Sequence, residues 1–187
     1  MGRGGAKLKH ALEGLRLDVA GCVAADFGCH VGGFTHCLLG EGAARVYAVD
    51  TGYGVLAWKL RRDERVVVME RTNAMHVELP EPVDLVAVDV GWTRQVHILP
   101  NALKQTRPEG CVLSLFKPQY EAPAHLIRGG VIEPGAFEDV LRDVVEALGS
   151  LGIRVREVVR LPRGRPGTNP EAFLYVPAGE SGAGQEA

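Results

Sequence analysis

The chain has no long apolar run, few aromatic side chains and almost no net charge. Nothing in its 187 residues approaches the ~20 consecutive apolar residues of a membrane-spanning helix. The Gly/Arg/Lys-rich start also lacks the apolar centre of a signal peptide. That pattern excludes a helical membrane protein, and a cytoplasmic one is expected. The four cysteines, at 22, 29, 37 and 111, form no C-x-x-C pair and no zinc-like group. Reduced thiols are therefore expected, and no metal site. Neither a repeat nor a linker divides the chain, so residues 1–176 should make one domain. Residues 177–187 are small and polar and should be a disordered tail.

A net charge of −2 argues against binding polyanions through overall charge. The basic residues are nonetheless clustered. Arg3, Lys7, Lys9 and Arg16 face only Glu13 in the first sixteen residues, and residues 154–167 hold five arginines against Glu157. Lys59, Arg61, Arg62 and Arg65 form a third group, tempered by Asp63 and Glu64. Such local faces suit RNA contact, and equally a solvated surface.

The organising stretch runs from Val23 to Asp50 and reads as strand, glycine turn, helix, strand. Val23–Phe27 and Arg45–Val49 are short apolar runs of the kind buried in parallel sheets. Between them Gly28, Gly32 and Gly33 permit a tight turn, and Phe34 opens a helix with free N–H groups. Asp50 ends the second strand, where an acid can accept both hydroxyls of a ribose. The G-x-G-x-x-G spacing of a dinucleotide site is missing. Instead Asp26 precedes Gly28-x-x-x-Gly32-Gly33, which resembles the turn of S-adenosylmethionine methyltransferases. An NAD-type site and a ligand-free turn remain the alternatives at this point.

Further along, Ala6–Leu17 carries a helical apolar stripe and Tyr53–Arg62 reads as another helix. Val66–Met69, Val83–Val90 and Cys111–Phe116 read as strands, and Val96–Thr106 as a helix kinked or restarted at Pro100. Ala122–Gly135 is expected to be a loop, acting as a lid, and Phe137–Leu148 a helix. Ile153–Leu161 and Glu171–Val176 should form a closing antiparallel hairpin around a basic turn. The alternation gives an α/β three-layer sandwich with Asp50, Asn73, Asp89 and Lys117 along one edge of the sheet.

Asp89 and Lys117 end neighbouring apolar strands, and Lys7 and Glu171 have the reach to join them. Two ammonium groups and two carboxylates around one hydroxyl suit methyl transfer to oxygen. One lysine stabilises the developing alkoxide while another group accepts the proton. A lysine ordinarily holds its proton to about pH 10.4, so a base role requires desolvation or a second cation. The bland reading is a structural Asp89–Lys117 pair with Lys7 and Glu171 on the surface.

The stretches RGGAKLKHAL, DFGCHVGGFTHCLL, LVAVDV, LFKPQYEA, RGGVI and GTNPEAFL, in this order over residues 3–174, resemble the TlyA-type branch of the FtsJ/RrmJ-like rRNA 2′-O-methyltransferases. That resemblance implies a Rossmann-like class I methyltransferase sandwich with a mostly parallel seven-stranded sheet. It implies S-adenosylmethionine as cofactor and structured RNA, in particular rRNA, as substrate. It puts the family's K-D-K-E tetrad on Lys7, Asp89, Lys117 and Glu171. Its cofactor contacts fall on Gly28, Gly32, Gly33, Phe34, Asp50, Asn73 and Asp89, with Asp26, His30 and Thr51 beside them.

The family's N-terminal S4 RNA-binding domain would precede Met1, so either a partner protein or the basic segments should supply the RNA grip. His30 is unusual beside the cofactor and reads as a bystander or hydrogen-bond donor. Trp92 stands where the family has another aromatic, to stack on a flipped base or to plug the core. The rival functions are a methyltransferase for a small molecule or protein, a binding module without turnover, and an NAD-linked oxidoreductase.

Overall fold

The computed structural model describes residues 2–162, 164–165 and 167–181. Its centre is a seven-stranded sheet in the order β3-β2-β1-β4-β5-β9-β8. β1 (Val23–Phe27), β2 (Arg45–Val49), β3 (Val66–Met69), β4 (Val83–Val88) and β5 (Thr106–Phe116) run parallel. β9 (Ala172–Pro177) is antiparallel to both β5 and β8 (Glu157–Arg160). The inner strands are almost wholly buried because helices cover both faces, which is why they read as unbroken apolar runs.

On one face lie α1 (Arg3–Leu15), α2 (Gly33–Gly40) and the short α3 (Trp58–Arg61). α4 (Gln95–Lys104) and α5 (Phe137–Ser150) cover the other. α1 seats through Leu8, Ala11 and Leu12, and truncating Leu8 to alanine should cost about 2–5 kcal/mol. α5 presents Val140, Leu141, Val144 and Leu148 at helical spacing to the opposite core.

Some elements differ from the sequence expectation for local reasons. α1 begins at Arg3 rather than Ala6, so Gly4 and Gly5 are helical. The helix expected over Tyr53–Arg62 is confined to Trp58–Arg61. Gly54 has φ +71, and the amides of Gly54 and Val55 donate to the Glu70 carboxylate rather than to helical carbonyls. α4 runs through Pro100 as one element. The expected lid contains a small antiparallel pair, β6 (Ile127–Arg128) and β7 (Val131–Ile132). Of the expected tail, Pro177 ends β9, 178–180 form a 3-10 turn, and 182–187 lie outside the described residues.

The strand order reverses direction between β1 and β4, and at such a switch point the carboxyl ends of the strands open a crevice. The sequence motifs at the ends of β1, β2, β4 and β5 all lie on this edge.

Candidate active site

Gly28 and Asp89 form the floor of the crevice. The Asp89 amide donates to the Phe27 carbonyl at 2.8 Å, drawing the end of β4 against the turn after β1. A Cβ on Gly28 would sit 2.6 Å from the Asp89 carbonyl oxygen, and its φ is +85. Only glycine satisfies both the close approach and the left-handed backbone.

A cleft of about 360 Å³ opens above this floor. Gly28, His30, Asp50, Thr51, Asn73 and Asp89 line it, six of the residues picked out from sequence. Its apolar walls include Met75 and Ile98. Two carboxylates and no lysine or arginine stand among its lining residues. Asp50 accepts the His30 amide at 2.8 Å and the Gly52 amide at 2.7 Å, one on each oxygen. Each oxygen keeps a lone pair for a further donor. His30 contributes this backbone bond from a left-handed conformation (φ 47), while its imidazole has no hydrogen bond among the described residues.

Four predicted cofactor contacts do not line the cleft, and each has another task. Asp26 is 1% exposed and accepts both the amide (2.8 Å) and the hydroxyl (2.7 Å) of Thr35, tying β1 to α2. Its other carboxylate oxygen has no partner among the described residues. Burial pushes the Asp26 carboxyl up to about 7. A Cβ on Gly32 would run into Leu56 and Leu60. On Gly33 it would sit 3.3–3.4 Å from the backbone of Gly4 and Gly5. Phe34 is buried against Phe173, ring centroids 5.7 Å apart. These residues fix the turn and seat α1, and none of the four lines the cleft itself.

The glycine contact has a consequence for Lys7. Because Gly4 and Gly5 let α1 pack backbone-close on α2, Lys7 reaches the sheet edge, where its Nζ lies 2.5 Å from Glu171 Oε2. Glu171 immediately precedes β9, and Lys117 immediately follows β5, whose last paired residues are Phe116 and Ala172. Lys117 Nζ lies 2.5 Å from Asp89 Oδ1 and 3.3 Å from the Val90 carbonyl oxygen. The four residues thus form two ion pairs at the neighbouring ends of β4, β5 and β9, all mostly shielded from solvent. The surface reading of Lys7 and Glu171 is excluded by this geometry.

Trp92 does not plug the core: it is 89% exposed, with φ 60, at the rim of the cleft. Its ring stands 5.1 Å from that of Tyr120, over which Lys117 is placed at 5.8 Å. Sequence reading passed over Tyr120, although it lies in the stretch just after Lys117. It also passed over Glu70, at the tip of β3. Glu70 accepts Arg61 and the amides of Gly54 and Val55, ordering the loop after Thr51. Arg61 first, then the Gly54 and Leu56 amides, hold its carboxyl down to about 2.

Burial raises all four free thiols, Cys111 to about 12, so none is poised as a nucleophile. The basic stretch 154–167 is also less open than its composition suggests. Arg156 pairs with Glu180 at 2.5 Å, Arg154 with the same carboxylate at 3.9 Å, and Arg160 with Glu138 at 2.6 Å. Arg163 lies outside the described residues.

Among known proteins, the chain is 39% identical over 180 residues to the 16S/23S rRNA (cytidine-2′-O)-methyltransferase TlyA of Mycobacterium tuberculosis, covering 93% of this chain and 67% of that protein. It is 34% identical over 151 residues to a Brachyspira hyodysenteriae protein named Hemolysin A, covering 76% and 60%. A crystal structure from Lactococcus lactis, described as a candidate hemolysin, superposes with a TM-score of 0.89 at 32% identity, covering 98% of this chain and 90% of that one. No helix among the described residues is long and apolar enough to cross a membrane. The family model for FtsJ-like methyltransferases matches residues 1–175, and the chain belongs to that family.

Proposed function

We propose that this chain transfers the methyl group of S-adenosylmethionine to a ribose 2′-hydroxyl of RNA, with ribosomal RNA in the cytoplasm as its substrate. The observation that supports it most is the pair of ion pairs, Lys7–Glu171 and Lys117–Asp89, at adjoining strand ends beside an acidic cleft. The relatives named as rRNA 2′-O-methyltransferases support the choice of substrate.

The cleft suits this cofactor by its donor set. Among the described residues Asp50 has no cationic partner, no lysine or arginine lines the cleft, and Lys117 reaches only Asp89 from outside it. This lining favours a positively charged ligand and disfavours the pyrophosphate of a dinucleotide, which speaks against the NAD reading. When bound, the cofactor supplies an electrophilic methyl group on a sulfonium. Asp50 offers its two remaining lone pairs to the ribose diol. Asn73, whose Oδ1 accepts the Met75 amide, leaves its NH₂ for a purine edge between Met75 and Ile98.

On the substrate side, Lys117 is held by Asp89 and the Val90 carbonyl, which leaves one N–H for the ribose oxygen. Glu171 holds Lys7 so that a second ammonium stabilises the negative charge developing there, while the hydroxyl proton, freed as the O–C bond forms, passes by way of the second Asp89 oxygen to solvent. The rate comes from placing hydroxyl and charge together before the reaction. Trp92, exposed over Tyr120, offers a stacking face to the base of the target nucleotide.

Tritiated S-adenosylmethionine incubated with ribosomal RNA, free nucleosides and a protein extract tests the reading. Label should enter RNA alone; label in protein or nucleosides would overturn it.

A further inference from the structure

A second hollow, of about 780 Å³, lies between the start of α1 and the connection from β8 to β9. Lys7 and Glu171 form part of its wall, whereas Asp89 belongs to the cofactor cleft. The two hollows therefore flank the paired charges. A methyl group delivered from one side must meet a hydroxyl presented from the other.

The chemistry of this second hollow is that of a backbone grip. Arg3, His10 and Arg165 line it, and neither Arg3 nor Arg165 forms an ion pair among the described residues. Its single lining acid is Glu171, already engaged by Lys7. No phenylalanine, tyrosine or tryptophan stands among the lining residues, so broad stacking faces for bases are missing and His10 is the one ring present. Gly129, Gly130 and Gly167 expose bare backbone there, with open space where each Cβ would be. Asn169 joins the two walls, donating to the Gly130 carbonyl at 2.9 Å and accepting the Ile132 amide at 2.8 Å. Gln119 adds a buried side-chain oxygen without a partner among the described residues. Cations, exposed backbone and an unmet acceptor together match the phosphates and sugar hydroxyls of a nucleic-acid strand.

We infer that this groove seats the sugar–phosphate backbone of the unpaired RNA strand on either side of the methylated ribose, gripping it without reading its sequence. The inference rests on the proposed function and adds to it where the strand lies. It also assigns the RNA grip to Arg3 and Arg165 rather than to Arg154, Arg156 and Arg160, which already lie beside Glu180 and Glu138.

The test uses fluorescence anisotropy with a labelled single-stranded oligocytidylate RNA, titrated over a series of salt concentrations, alongside calorimetry with S-adenosylmethionine. Arg3→Ala and Arg165→Ala should each weaken RNA binding and lower the salt slope by about 1, as loss of one phosphate contact does. Arg165→Glu should weaken it further, and Arg154→Ala should leave both quantities unchanged. Cofactor affinity should be unaltered in every variant, which also reports that the fold is intact. An unchanged slope in Arg3→Ala and Arg165→Ala, or a loss equal to theirs in Arg154→Ala, would overturn the groove. If wild-type protein methylates no RNA, the proposed function fails, whatever these variants show.

Discussion

Glu171 and Lys117 flank the Phe116–Ala172 pair that closes the β5–β9 ladder, and Glu171 brings Lys7 to that end. Chain segments from three distant parts of the sequence therefore present their charges at one place.

If Glu171 acts by holding Lys7, the two form a unit. Lys7→Met and Glu171→Gln should each reduce methyl transfer by roughly 10²-fold or more, and the double variant little further. Cofactor binding should persist in all three, because neither residue lines the cofactor cleft. Additive losses in the double variant would show that the pair does not act together.

The buried Asp26 carboxyl gives stability a pH dependence of known sign. It titrates near 3.8 when unfolded and at about 7 when folded. Between these values the folded protein keeps a proton that the unfolded chain has lost. Its contribution is complete below about pH 4, falls as pH rises, and is gone above about 7, a change on the order of a few kcal/mol. Asp26→Asn keeps an oxygen for Thr35 but cannot ionise. Urea unfolding should find the variant gaining on wild type as pH rises from 4 to 7; a constant difference would refute the assignment.

The glycine contact between α1 and α2 makes a paired prediction. A Cβ on Gly4 meets Gly33 and Phe34 at 3.8 Å, an ordinary contact, so Gly4→Ala should be neutral or stabilise by up to about 1 kcal/mol. Gly33→Ala presses on backbone at 3.3–3.4 Å and should cost about 1–3 kcal/mol. Thermal unfolding of both variants checks the contrast.

How far the sequence could be read followed from how local each feature is. The strands were legible as apolar runs, Asp89 and Lys117 as charges ending two of them, and Glu171 as one opening another. The roles of Gly32, Gly33 and Asp26 were not. Each is set by a partner (Leu60, Gly4, Thr35) whose proximity exists only after the helices pack. The loop after Asp50 carries helical spacing, but Glu70 competes successfully for its amides. Trp92 had two readings in sequence because burial is a property of the fold.

Trp92 is exposed and holds a left-handed backbone, which a bulky residue adopts only at a cost of roughly 1–2 kcal/mol. Trp92→Gly should therefore leave stability unchanged or raised. If the ring stacks on a base, the same variant should lose about 1–3 kcal/mol of substrate binding, seen in kcat/KM for RNA. A destabilised variant with normal turnover would give Trp92 a structural role instead.

The most direct measurement maps the methyl group itself. Ribosomal RNA treated with the protein and S-adenosylmethionine, digested to nucleosides and analysed by mass spectrometry, should carry new methyl groups on ribose. With Lys117→Ala they should vanish while calorimetry still shows cofactor binding. Methylation on a base, or undiminished ribose methylation by Lys117→Ala, would contradict the account.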